Sequence, residues 1–153
     1  MIKAEIKLED GVMAPVYENS LNSGFDIRVK SFKKLFKGNK EVFLDRKLQK
    51  SLDEGYLTLR GFERVLIGTG IHITMYEGYE LQIRDNPGNV LKRGLMVAGA
   101  PVSIDASYKG ELMVPLINNS PFLSRICLGD IIAQGVAIRI QHILWDIKKL
   151  ERP

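Results

Sequence analysis

"YELQIRD", residues 79–85, alternates Tyr79, Leu81 and Ile83 with Glu80, Gln82 and Arg84. Successive side chains of an extended chain point to opposite faces, so a period of two puts the first three on one face and the polar three on the other. This is the pattern of a half-buried strand. Outward from it, the same alternation recurs in MIKAEIKL (1–8), FERVLIGTGIHITM (62–75), ELMVPLIN (111–118) and GVAIRIQHILW (135–145), with glycine and proline between. Strands punctuated by turn residues predict an all-β sandwich or barrel. The exception is Lys40 to Gly55, which reads as an inserted helical excursion. There Asp45 is placed to cap a short helix, Leu48 and Leu52 stand at i and i+4, and Gly55 suits the residue just past its end. Pro115 removes a ladder donor inside ELMVPLIN, which predicts an edge strand or a bulge at that point.

The 153 residues suit one domain, 1–153, interrupted by an insertion at about 33–55. Hydrophobic residues at 45% and charged residues at 26% fit a globular protein with a real core. A net charge of +4 is too small to argue for nucleic acid, since the basic residues are scattered apart from SFKKLFKGNK (31–40) and no zinc-finger, basic-region or RRM signature is present. The single cysteine, Cys127, excludes an intrachain disulfide and a multi-cysteine metal site; in its apolar context it reads as core filling, which fits a reducing cytoplasm. Neither a secretory leader nor a run long enough to span a bilayer is visible, so no membrane partner is expected. His72 and His142, each flanked by apolar residues, read as ordinary strand histidines and not as ligands.

No GxGxxG and no P-loop occurs, so what remains for chemistry is a set of glycine-containing turns: NSGFDIRV (22–29), IRDNPGNVLKRG (83–94), VAGAPVSIDASYKGE (97–111) and LGDIIAQG (128–135). Each alone is explained by the residues that turns require. In this order and spacing, however, they resemble the motifs of the trimeric dUTP pyrophosphatase (dUTPase) family. Ser23, Gly24, Phe25, Asp26 and Ile27 stand where that family has Ala-Gly-Tyr-Asp-Leu, preceded by a Pro-x-Tyr segment. RVLIGTGIHITMYEGYELQIR is similar to its Thr-Gly-Ile strand and Pro-x-Gly-Tyr turn, IDASYKG to its Ile-Asp-x-x-Tyr-Arg-Gly, and LGDIIAQ to its Gly-Asp-Arg-Ile-Ala-Gln. The likeness omits only the insertion between Val29 and Leu57 and the last few residues.

The resemblance implies a jelly-roll-like (β-clip) fold, a homotrimer whose sites are shared between three chains, a small deoxynucleotide substrate and Mg²⁺-dependent hydrolysis of dUTP to dUMP and pyrophosphate. Such hydrolysis needs a water nucleophile, a carboxylate to orient and deprotonate it, and cations to spread the developing charge. By resemblance Asp105 is that catalytic carboxylate, and Tyr108 stacks under the deoxyribose and leaves no room for a 2′-hydroxyl. Gly99 admits the pyrimidine at close approach, Gln134 lies near the phosphates, and Asp26 holds Mg²⁺ through water, a fitting arrangement for a hard ion that keeps its waters.

Three positions depart from the family pattern. Asp85, Asn86, Pro87 and Gly88 replace Pro-Arg-Ser-Gly, Ile131 replaces the fourth-motif arginine, and WDIKKLERP (145–153) lacks the glycine-rich fifth motif. Asn86 and Gly88 then stand for the second motif in substrate binding, with Lys92 and Arg93 as substitute cations. The alternatives are a catalytically weak or inactive nucleotide-binding, regulatory relative, a purely structural trimer, and dCTP deaminase. Deamination ranks low because its catalytic glutamate would fall at Pro115, which has no acid–base function.

Overall fold

The computed structural model describes residues 2–42 and 46–151. Three sheets, antiparallel throughout, wrap one hydrophobic core. The four-stranded sheet that positions the site runs β2 (Phe25–Arg28), β12 (Ile131–Arg139), β7 (Tyr79–Asp85), β9 (Val102–Ile104). In β7 the expected alternation holds: Leu81 and Ile83 are fully buried while Arg84 is exposed. Each such aliphatic side chain taken out of water contributes about 1.5–3 kcal/mol, which is what fixes the register of the strand.

A six-stranded sheet covers the other side of the core, in the order β4 (Lys40–Val42), β3 (Ser31–Lys37), β6 (Arg64–Thr74), β10 (Glu111–Asn118), β8 (Leu95–Val97), with β1 (Glu5–Leu8) also paired to β6. Leu112, Val114 and Leu116 point into the core from β10. A short sheet joins β5 (Tyr56–Leu59) to β11 (Ser124–Cys127). The all-β expectation is therefore met, with two short helices among the described residues, α1 (Arg46–Asp53) and α2 (Pro87–Arg93).

Several local expectations are corrected. Pro115 lies neither at a sheet edge nor at a bulge: β10 sits between β6 and β8. Its carbonyl accepts from the Ala98 amide at 2.8 Å. The N and O of one residue point to the same side of a strand, so its missing N–H faces the place where β8 stops, and the β6 ladder is intact. The register shift in β10 falls instead between Glu111 and Met113.

The stretch from Lys40 begins as a hairpin strand, β3 and β4 joined at Gly38, and Arg46–Asp53 is helical. Leu48 and Leu52 pack on the core, and the Gly55 amide closes the helix on the Leu52 carbonyl, as the pattern predicts. The proposed cap, Asp45, lies outside the described residues. The last strand ends at Arg139, so His142 stands in an irregular exposed segment and is no strand histidine. Cys127 is half-buried at the end of β11. Among the described residues no helix is long and apolar enough to cross a membrane.

Candidate functional site

Asp26 and Gln134 are directly opposed across the β2–β12 pair, and Gln134 is in turn opposite Arg84 on β7. Their alternation with the buried Phe25 and Ile27 turns Asp26 to solvent. The pairing is tight because Gly135 has no side chain: a Cβ there would run into the Phe25 ring, against which Tyr17 packs edge-on at 5.7 Å between centroids. The Asp26 carboxylate has no hydrogen bond or ion pair among the described residues, so it is open to a ligand.

Immediately after β7 the segment Asn86–Gly94 forms α2, an element the sequence reading did not anticipate. Asn86 caps it, its Oδ1 accepting from the Asn89 amide at 3.2 Å, and Pro87 occupies the first turn, where a missing N–H costs nothing. Gly94 closes it in the left-handed conformation, φ 64. The signal was present in the order Asn-Pro…Gly.

The motif resemblance expects Asn86 and Gly88 to bind substrate and Lys92 and Arg93 to serve as substitute cations. Asn89 Nδ2 donates to the Ile131 carbonyl at 2.7 Å. Arg93 bonds Asn89 Oδ1 at 3.3 Å, the Arg125 carbonyl, and Asp130 Oδ2 at 3.3 Å. Arg93 thus clamps α2 to the turn before β12 and is not a free cation, while Lys92 is exposed.

At the other end of the sheet, β9 runs into the turn 105–108. Asp105 Oδ1 accepts from the Ser107 amide at 2.9 Å and hydroxyl at 2.5 Å, and the Tyr108 amide closes the turn on the Asp105 carbonyl at 3.2 Å. The Ser107 hydroxyl and then its amide hold the Asp105 carboxyl below its usual 3.8. The side chain is exposed and Oδ2 is unpartnered among the described residues, so an ionised oxygen faces solvent. Tyr108 donates its hydroxyl to the Glu111 carbonyl, and its ring lies over Gly110, half-buried against the core.

Gly99 lies in the turn between β8, which pairs with β10, and β9, which pairs with β7; its φ is +90, and a Cβ there would touch nothing within 4 Å. Its backbone conformation requires glycine, whereas no close approach within the chain does.

Asp26, Gln134 and the start of α2 share one end of the sheet; Asp105 and Tyr108 share the other. From the pairing of Leu81 with Ile104 and Gln134 with Asp26, Asp105 and Asp26 lie three strands apart sideways and about four residues apart lengthwise, on the order of 20 Å. One chain does not bring them together. Among the described residues no three His, Cys, Asp or Glu side chains gather to hold a metal. The donor set fits an ion held by one carboxylate, water and a phosphate-bearing ligand.

No family model matches the chain. It is 30% identical over 154 residues to the deoxyuridine 5′-triphosphate nucleotidohydrolase of Fusobacterium nucleatum, covering 99% of this chain and 90% of that protein. The enzyme of the same name from Hydrogenobaculum sp. is 46% identical over 87 residues, and that match spans 57% of this chain and 60% of the relative. Among solved structures, a variant of the dUTPase from phage phi11 of S. aureus, described with a structural Mg(II) ion, superimposes with a TM-score of 0.73 at 18% identity, over 99% of this chain and 100% of that one.

Proposed function

This chain belongs to the deoxyuridine 5′-triphosphate nucleotidohydrolase (dUTPase) family, and from that premise we propose that it hydrolyses dUTP to dUMP and pyrophosphate with Mg²⁺, in sites completed between copies of a homotrimer. The observation that carries this reading is the division of the site residues between two ends of one sheet, each end open to a ligand.

In the proposed reaction a water oxygen attacks the α-phosphorus, the bond to the α–β bridging oxygen breaks, and pyrophosphate leaves. Asp105 orients the water through its free Oδ2 and takes its proton. An acid held below its usual value is ionised at neutral pH, which suits orientation more than strong basicity. Tyr108 presents its ring to the deoxyribose, and Gly99 leaves the turn between β8 and β9 open to the base. Asp26 faces the triphosphate end with Gln134 beside it, and Asn86 and Gly88 open α2 next to them. Mg²⁺, when bound through water at Asp26, supplies charge neutralisation for the phosphate oxygens.

The sharing of sites is supported by the separation of Asp105 from Asp26 within one chain, which exceeds the span of a triphosphate. We further propose that the whole chain is one domain and that residues 33–55 are an insertion upon it. The test is pyrophosphate release with dUTP, dCTP, dTTP and UTP in Mg²⁺ buffer. Turnover of dUTP above the others supports the reading, whereas tight dUTP binding with no pyrophosphate over hours would make the chain a nucleotide-binding relative.

A further inference from the structure

Lys33 belongs to the insertion, far in sequence from the turn at 105–108, yet it reaches the strand that anchors that turn. In the β3–β6 pair Phe32 opposes Ile67 and Lys34 opposes Leu66, so Lys33 is the extra residue of a bulge. Bulges re-aim side chains. This one turns Lys33 across β6, where its Nζ meets Glu111 Oε2 at 2.9 Å.

The crossing is possible because position 68 of β6 is glycine: a Cβ there would run into Lys33, Ser31 and Glu111. Opposite the same stretch β10 also loses register, between Glu111 and Met113. Side chains replace the ladder at that point. Thr69 Oγ1 donates to the Leu112 carbonyl at 2.7 Å, and Glu111 Oε1 accepts from the Gly70 amide at 2.9 Å. The Glu111 side chain is 12% exposed, so its charge relies on these two partners, Gly70 and Lys33. The backbone carbonyl of the residue so held accepts the Tyr108 hydroxyl.

We propose that Lys33 is a positioning residue for Tyr108, acting through Glu111, and that this contact sharpens the selection of a deoxyribose nucleotide over its ribose counterpart. The inference rests on the reading of Tyr108 as the platform for the sugar. Lys33 touches no substrate. It fixes the start of β10, and with it the carbonyl that sets the tilt of the ring over Gly110. A ring free to rock admits a 2′-hydroxyl more readily, so the effect falls on discrimination and KM more than on kcat.

The experiment compares pyrophosphate release from dUTP and UTP by the wild type, Lys33→Met, Lys33→Arg, Tyr108→Phe and the Lys33→Met/Tyr108→Phe double variant, with melting curves to verify folding. Loss of one hydrogen-bonded contact predicts that Lys33→Met raises KM for dUTP about fivefold, with kcat within about twofold, and lowers the dUTP-over-UTP ratio of kcat/KM by a similar factor. Lys33→Arg restores the ratio. With the hydroxyl already removed by Tyr108→Phe, adding Lys33→Met should leave the ratio within about 1.5-fold, because residues acting through one contact are not additive.

Independent, multiplying effects of the two substitutions, or a Lys33→Met protein that only melts earlier at an unchanged ratio, would overturn the inference. Tyr108→Ala separates the two levels. If it leaves the ratio untouched, the sugar-platform reading itself is wrong and the inference falls with it; if it collapses the ratio while Lys33→Met does not, only the role of Lys33 is lost.

Discussion

The segments Asn86–Gly94 and Ile104–Glu111 are both short, polar and punctuated by glycine, yet they dispose of their polar groups in opposite ways. In the first, Asn86, Asn89 and Arg93 are all committed to the chain's own backbone and to Asp130. In the second, Ser107 takes one oxygen of Asp105 and leaves the other to solvent, and the Tyr108 side chain is tied at its hydroxyl. The difference teaches that a polar motif is a candidate for ligand chemistry only when its groups are not already satisfied internally. Where the resemblance expects an arginine and a serine, this chain has Asn86 and Pro87, which open α2.

The comparison is broken or sharpened first at Asp105. Asp105→Asn should lower pyrophosphate release by about 10²- to 10⁴-fold without changing the oligomer, as read by assay and sedimentation; unchanged turnover would remove Asp105 from the reaction. Asp26→Asn comes next, raising the Mg²⁺ needed for half-maximal rate about 10- to 100-fold in a metal titration.

Arg93→Ala tests the opposite assignment. Its side chain is 29% exposed and its guanidinium serves three acceptors, so the loss should cost about 1.5–3 kcal/mol in urea unfolding, whereas Lys92→Ala should be near neutral. A stable Arg93→Ala protein with crippled turnover would show that Arg93 works on phosphate after all. Asn86→Ala removes the α2 cap and should cost about 1 kcal/mol in the same measurement.

The smallest effect is in pH dependence. Burial pushes the Glu111 carboxyl up, and the Gly70 amide and Lys33, with His72 facing it from β6, outweigh that and bring it below its usual 4.5. The stability it supplies is complete above that usual value and is lost as pH falls through the lowered one. The melting difference between wild type and Lys33→Met should therefore shrink on acidification below pH 4.5; a difference that grows would contradict the ion pair.

Much of the fold was legible because alternation is a local signal: residues 79–85 and 111–118 each display a buried face that no other pairing satisfies. The short strands β8, β9 and β11 gave no such signal, since three or four residues cannot establish a period. α2 gave no periodic signal, since its seven residues bury Asn89 and display no apolar stripe, although Asn86, Pro87 and Gly94 marked both its ends. Pro115 was misplaced for a tertiary reason: which side of a strand loses its donor depends on where the neighbouring strand stops. For the candidate site, the sequence could name residues by motif, but not their distribution over two ends of one sheet, for that depends on strand order and not on spacing along the chain.

That distribution is tested most directly by mixing two impaired proteins, assayed at a Mg²⁺ level too low to support turnover by Asp26→Asn. Asp105→Asn and Asp26→Asn variants, dissociated together and reassembled at equal amounts, should recover about a quarter of wild-type activity if each site takes Asp105 from one copy and Asp26 from another and copies assort at random. Recovery of none, with mixed oligomers demonstrated by mass spectrometry, would mean that one chain supplies both carboxylates and that the separation seen across the sheet does not describe the working site.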